Sequence, residues 1–218
     1  RSVEIVRTGS RGAFFLEPLV EVETAAGRVG FGPVAAGDVE SLVSEGLLDG
    51  IGARSLGLVE DIPFLKAQTR FTFSRSGVID PASLDDYRAH GGGLGLARAA
   101  AMAPAAIVAA VSASGLRGRG GAGFPTGIKW KTVLDAPAPR KFVVANADEG
   151  DSGTFADRVL MEGDPFVIIE GMAIAGLATG ASRGYLYIRS EYPHAIARME
   201  AAVETARRAG WLGPAVAG

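Results

Sequence analysis

The chain has 218 residues and 22.4 kDa, enough for one core of ordinary size or for one domain plus a smaller piece of another. Hydrophobic residues at 48% and charged residues at 21% exclude a disordered or fibrous chain, and a net charge of -2 argues against a basic nucleic-acid surface. With no cysteine the stretch holds no disulfide, thiolate zinc site or cysteine-ligated cluster, while its 31 glycines, clustered rather than spread, point to loops whose backbone approaches a ligand.

Residues 3–7 alternate and predict a strand. No signal peptide precedes them, and a first residue other than Met suggests a piece of a longer protein. Residues 19–24 and 28–31 alternate about Ala25-Ala26-Gly27, the pattern of a hairpin, and Asp38 is placed to cap a helix through Val39, Leu42, Val43 and Leu47. In the next stretch residues 62–65 read as extended, 70–73 as a short strand, and 81–90 as a helix of one to two turns ending in Gly91-Gly92-Gly93. Phe64, Leu65, Phe71 and Phe73 are too apolar for a solvated linker, so this is a packed connector.

From residue 104 onward strand and helix alternate. Residues 105–114 predict a helix, 142–145 a buried strand, 166–178 an apolar helix, 185–188 a second strand and 193–209 an amphipathic helix. The pattern predicts an α/β fold with a parallel sheet and ligands at the carboxyl ends of its strands. The Ala-rich run 99–116, interrupted by Pro104, is too weakly apolar for a membrane span.

Two segments carry chemistry. In residues 114–130, Ser-Gly-Leu-Arg-Gly-Arg-Gly-Gly-Ala-Gly-Phe-Pro-Thr-Gly-Ile-Lys-Trp, the glycines allow consecutive N–H groups to turn inward as an anion nest. Arg117, Arg119 and Lys129 add charge for phosphates. Gly118, Gly120 and Gly123 satisfy G-x-G-x-x-G, but the preceding Ala-rich segment favours a helix over the strand of a Rossmann turn, and the P-loop pattern fails at Ile128. A nucleotide is the expected ligand, ahead of a plain flexible loop. Trp130 is expected to pack under the loop.

In residues 143–158 an apolar strand runs straight into Asn146, Asp148, Glu149, Gly150, Asp151 and Gly153, where an α/β sheet places ligand-binding groups. An amide and carboxylates suit a heteroaromatic edge or ribose hydroxyls. Taken alone, this segment leaves a Mg²⁺ or Ca²⁺ site, a nucleotide site and a solvated acidic turn equally open. Together the two segments favour a nucleotide, with Phe124 as a stacking face between them. His90 and His194 are isolated, and read as a helix-end group and a surface or core residue.

These two segments closely resemble the flavin-binding subunit of respiratory NADH dehydrogenase and its soluble relatives, the diaphorase subunits of NAD-dependent formate dehydrogenases and NAD-reducing hydrogenases. Glu60-Asp61-Ile62-Pro63-Phe64, Asp85-Asp86-Tyr87, Asp164-Pro165-Phe166, Glu170-Gly171-Met172 and Arg189-Ser190-Glu191-Tyr192-Pro193 extend the resemblance over about residues 56 to 213. It implies FMN and NAD as cofactors. Gly118, Arg119, Gly120, Gly121, Gly123 and Lys129 would line the flavin and its phosphate, and Asn146 and Asp148 would hold its ring and ribityl edge. Phe124 would stack near the dinucleotide, which Glu149 and Asp151 would position. It implies no catalytic side chain and no metal ligand in this stretch. Thr132 and Gly93 stand where relatives carry aromatics.

The resemblance also divides the chain. Residues 1–50 resemble the end of a thioredoxin-like iron–sulfur module, with Ser10 and Phe14 in place of a Cys-x-x-x-Cys pair, which leaves it a docking role. Residues 51–103 would be the connector, and 104–218 the first part of a Rossmann-like FMN/NAD-binding domain. The family continues past Gly213 into a Gly-Glu-Glu loop and a Cys-rich helical domain holding a 4Fe-4S cluster. The fusion points to the β subunit of a cytoplasmic formate dehydrogenase, with the hydrogenase subunit second. The implied partners are a molybdenum- or tungsten-containing catalytic subunit and a small 2Fe-2S subunit, with no nucleic acid and no membrane.

Overall fold

The computed structural model describes residues 2–213, which fall into two units, Ser10–Ser74 and residues 2–9 with 75–213. The partition differs from the expected one. Residues 51–74 go with the hairpin unit because Val59, Ile62 and Leu65 share a core with Ala13, while residues 75–103 go with the other because Tyr87 and Leu96 join its core.

In the Ser10–Ser74 unit the predicted hairpin forms from β1 (Val20–Thr24) and β2 (Gly27–Phe31), antiparallel with Val22 opposite Val29. The Thr24 hydroxyl donates to the Gly27 carbonyl across the turn at 2.7 Å. α1 (Val39–Ser44) stops before Leu47, which lies in a separate helical turn. Asp38 stands at the N-cap of α1, but its side chain makes no bond to that helix. The carboxylate accepts from the Ala35 N–H at 2.9 Å and pairs with Arg54 at 2.6 Å. β3 (Ser55–Leu58) adds antiparallel to β2, and Val29, Phe31, Val34, Leu42 and Leu47 form the core beneath the sheet.

Two expectations fail here. Residues 62–65, read as extended, give α2 (Pro63–Lys66), because proline at the first helical position has no N–H to leave unpaired. Residues 70–73 pair with no strand among the described residues, and Phe71 is 86% exposed. Arg11 is buried against Glu21, which it binds through Nε and Nη2 at 2.5 and 2.8 Å, and reaches Glu60 at 3.2 Å. Burial alone would lower its basicity, but the carboxylates more than offset this and keep the guanidinium charged.

The second unit begins with residues 2–9, which alternate as a strand would but pair with no strand among the described residues, and Ile5 is exposed. Then follow α3 (Leu84–Ala89), capped by Ser83, α4 (Leu94–Ala100), α5 (Pro104–Ala113), α6 (Thr126–Asp135), β4 (Phe142–Ala147), α7 (Ala156–Gly163), α8 (Pro165–Thr179), β5 (Arg183–Ile188) and α9 (Pro193–Arg208). β4 and β5 are parallel and in register from Phe142 opposite Arg183 to Ala147 opposite Ile188, with α7 and α8 as the crossover. This is the expected α/β arrangement with a parallel sheet.

α8 is apolar on nearly every side because it lies between β4 and the helices α4, α5, α6 and α9. Phe166 and Ile169 anchor it in a core with Tyr87, Met161 and Met199, and Ala178 joins it to Ile107 and Val108 of α5. Its one carboxylate, Glu170, is buried and fully used. It accepts from the Tyr87 hydroxyl at 2.6 Å and from the Gly93 and Leu96 amides at 2.7 and 2.9 Å. Burial, and then Glu170, push the Tyr87 phenol up.

The glycines beside this staple have steric reasons. A Cβ on Gly92 would lie 2.0 Å from the Tyr87 ring, and Gly93, at φ +83, faces Trp211.

The strand predicted as buried is covered on one face only. Val143, Ala145 and Ala147 alternate with the exposed Phe142, Val144 and Asn146, and Leu186 and Ile188 with the exposed Tyr185 and Tyr187. Among the described residues the helices packed on this sheet cover a single side, which turns a sequence suited to two-sided burial into a half-buried one.

Candidate functional site

The glycine segment is the loop between α5 and α6. The two helices meet closely at its root, where a Cβ on Gly127 would lie 2.2 Å from the Ser112 hydroxyl oxygen. Above that root the loop closes on itself. The Gly118 N–H donates to the Phe124 carbonyl at 2.9 Å, the Thr126 N–H donates to the Leu116 carbonyl at 2.9 Å, and Arg117 donates through Nη1 to the Gly123 carbonyl at 2.8 Å.

Arg117 therefore braces the loop. Arg119 and Lys129 are exposed and make no side-chain hydrogen bond or ion pair among the described residues. Phe124 is 52% exposed. A Cβ on Gly120, Gly121 or Gly123 would touch nothing within 4 Å, and Gly121 and Gly123 have φ +101 and +59. Backbone packing does not require bare glycine at Gly120, whereas an open, side-chain-free surface beside these two cations fits a flat anionic ligand laid against the main chain.

The second segment lies at the carboxyl end of β4. Asn146, on the exposed face, accepts the Asp148 N–H at 3.1 Å through Oδ1, and Asp148 and Asp151 are exposed. Glu149 behaves differently. At φ +45 it is left-handed, and its carboxylate accepts from the Asp157 and Arg158 amides at the start of α7, at 2.7 and 3.2 Å. It thus caps a helix whose own N-cap residue, Phe155, supplies no side-chain bond. Burial, and then the Glu149 charge, push the Asp157 carboxyl up.

The structure thus gathers Asn146, Asp148 and Asp151 at one strand end with their polar groups exposed, and turns Glu149 toward α7. Gly118, Arg119, Gly120, Gly121, Gly123, Phe124 and Lys129 gather in the α5–α6 loop and the first turn of α6. No hydrogen bond among the described residues joins the two groups directly. Both are carried by α8, which packs against α5, α6 and β4. Trp130 is partly buried against the α5 core at the root of the loop.

Sequence reasoning quoted Arg189 and Tyr192 within the resemblance but gave them no role. Arg189 leaves the end of β5 and donates to the Glu149 carbonyl at 2.8 Å, and Tyr192 is buried beside it with the Arg189 guanidinium 5.3 Å from its ring centre. The strand-end rule that drew attention to β4 applies equally to β5 and would have found Arg189.

Among the described residues no group of three or more His, Cys, Asp or Glu side chains could hold a metal, and no helix is long and apolar enough to cross a membrane. A cavity of about 1030 Å³ lies at the other end of the sheet, between α8, the start of β5 and α9. It is lined largely by apolar groups such as Val143, Ile169, Met172 and Leu186, and none of the candidate site residues lines it.

Residues 111–216 match the Nuo51 FMN-binding domain. The Nuo51 match starts inside α5 and takes in the glycine loop, the strand-end turn and β5. The NADP-reducing hydrogenase subunit HndC of Solidesulfovibrio fructosivorans is 53% identical over 153 residues, which cover 70% of this chain and 31% of that protein. An NADH-quinone oxidoreductase subunit of Aquifex aeolicus (strain VF5) is 43% identical over 159 residues, 72% of this chain and 37% of that protein. The chain thus spans about a third of the length of the curated relatives it matches. The solved structure of an NAD+-reducing NiFe hydrogenase in the H2-reduced state is similar with a TM-score of 0.51 and 30% identity, covering 85% of this chain and 30% of that one.

Proposed function

We propose that this chain is the flavin- and nicotinamide-handling part of a diaphorase subunit in a multi-subunit NAD-linked dehydrogenase. The observation that carries the reading is that the Nuo51 match encloses both candidate segments, one an open glycine surface with outward cations and the other an amide-carboxylate strand end. Bound FMN would supply the redox chemistry, exchanging single electrons with iron–sulfur centres and a hydride with nicotinamide.

This chain's residues would bind and orient. Arg119 and Lys129, with the loop amides, meet the phosphate. Asn146 and Asp148 hold the ring and ribityl edge, Phe124 walls the dinucleotide side, and Asp151 accepts from the dinucleotide. No side chain need act as acid or base in the hydride step. The thioredoxin-like reading of residues 1–50 assigns them to docking.

The primary donor proposed is formate, oxidised in a molybdenum- or tungsten-containing partner subunit and relayed through a small 2Fe-2S subunit. It rests on the resemblance of the amino-terminal residues to fused formate dehydrogenase subunits. A second reading, hydrogen as donor, is favoured by the similarity to hydrogenase subunits.

The test is flavin and metal analysis of the native complex containing the full-length subunit, with NADH reduction followed by absorbance. Stoichiometric FMN that bleaches with NADH, and is lost when Asn146 and Asp148 are both replaced by alanine, supports the reading. Molybdenum or tungsten in the complex favours formate and nickel favours hydrogen. Absence of FMN and of any NADH response overturns the reading and leaves a docking piece.

A further inference from the structure

Glu149 is the residue on which the strand-end turn pivots. It occupies a backbone region that non-glycine residues enter only when their surroundings hold them there. Three elements do so. α7 takes the carboxylate through the Asp157 and Arg158 amides, and Arg189 takes the carbonyl from the end of β5. Tyr192 completes the hold. It is buried beside Arg189, and its phenol is pushed up by burial and then by the charge of Glu149. Arg158 and Arg189 lie 5.7 and 5.3 Å from the Tyr192 ring centre and fix the ring. Arg189 is itself held by Glu191 through Nε at 3.3 Å and Nη2 at 3.1 Å, so its reach to Glu149 is set by two fixed points.

On either side of this pivot stand Asp148 and Asp151, the exposed carboxylates assigned above to ligand. We infer that Arg189 and Tyr192 are positioning residues that act through Glu149 to aim Asp148 and Asp151, and that Glu149 serves the dinucleotide through the turn it fixes rather than by touching it. The inference rests on the functional reading above and refines it. Each oxygen of the Glu149 carboxylate accepts an amide at the start of α7, which turns the group toward that helix, while Asp148 and Asp151 stay exposed.

The test is made in the full-length subunit within its native complex, with Arg189→Ala, Arg189→Lys, Tyr192→Phe and Glu149→Gln. Two readouts are used, NADH oxidation with an artificial acceptor and amide exchange at Asp157 and Arg158. Arg189→Ala is expected to raise KM for NADH about tenfold while kcat and FMN content stay within about twofold, with Arg189→Lys recovering part of the loss and Tyr192→Phe costing about threefold. Exchange of the two amides is expected to quicken about tenfold in Arg189→Ala.

A KM shift in Glu149→Gln with none in Arg189→Ala or Tyr192→Phe means that Glu149 meets the dinucleotide directly, and overturns the inference. Faster exchange with unchanged KM makes the clamp merely structural and overturns it equally. If Arg189→Ala fails to assemble, Arg189→Lys and Tyr192→Phe decide the matter on the same two readouts. A wild-type complex without flavin or NADH response removes the functional reading and the aiming role with it, and amide exchange then still tells whether the clamp exists.

Discussion

The α5–α6 loop and the β4–α7 turn are both rich in glycine and charge, yet they are held in opposite ways. The loop is closed by its own backbone and by Arg117, and it leaves Arg119, Lys129 and Phe124 facing outward. The turn is closed by groups from other elements, Arg189 and Tyr192 after β5 and the amides of α7, and it consumes the charge of Glu149 in doing so. The contrast teaches where order comes from at such a site. An outward cationic loop gains its last fixed contacts from the anion it receives, whereas a clamped turn presents its acceptors before any ligand arrives and avoids part of the ordering cost of binding.

The sharpest way to break the contrast is at the root of the loop. Gly127→Val would place side-chain atoms against Ser112, down to 2.6 Å from its Cα, and prise α5 from α6. We expect a loss of about 3 kcal/mol or more, read by thermal unfolding of the full-length subunit. Next, Arg119→Ala and Lys129→Ala should each weaken FMN binding about tenfold in fluorescence titration, with a smaller salt dependence. Their thermal stability should stay within about 0.5 kcal/mol of wild type, because these side chains make no hydrogen bond or ion pair among the described residues. An equal loss of stability would show that Arg119 and Lys129 are spent on holding the loop, as Glu149 is on holding the turn. Gly121→Ala adds only backbone strain at φ +101, a cost of about 1 kcal/mol with no clash.

The smallest effect is one of pH. Hydrogen bonding to Arg189, with help from the backbone and Ser190, holds the Glu191 carboxyl at about 2, below its ordinary 4.5. A depressed folded value means that the pair's small contribution is complete above 4.5 and is lost as pH falls through that window toward 2. Carboxyl NMR of wild type and of Arg189→Ala checks it, with the Glu191 titration expected to return toward 4.5 in the variant.

Much of the second unit was legible because its periods are long. The apolar run of α8, the amphipathic α9 and the strand β5 fall where periodicity places them, and the β1–β2 hairpin follows from alternation about a short turn. What failed did so for reasons outside local sequence. Residues 3–7 alternate, but alternation supplies no partner strand. Ile62 is extended as a residue before proline should be, yet Pro63 opens a helix rather than continuing the extension.

α6 went unseen because Pro125 and Gly127 read as loop, when Gly127 serves a close helix crossing. At the site, the residue types at the end of β4 announced themselves. The clamp did not, because Arg189 reaches Glu149 from 40 residues away and only the parallel pairing of β4 and β5 makes them neighbours.

The half-covered sheet has a practical consequence. β4 and β5 each pair on one side only among the described residues, and their outward face sets Phe142, Val144, Tyr185 and Tyr187 side by side at 47, 59, 49 and 61% exposure. Unpaired strand edges beside an apolar face are what neighbouring molecules add to when sheets grow between them. This stretch expressed by itself should therefore scatter light increasingly with concentration. Glutamate at Val144 and lysine at Tyr187, which break the face without touching the helix-covered side, should be the changes that keep it in solution.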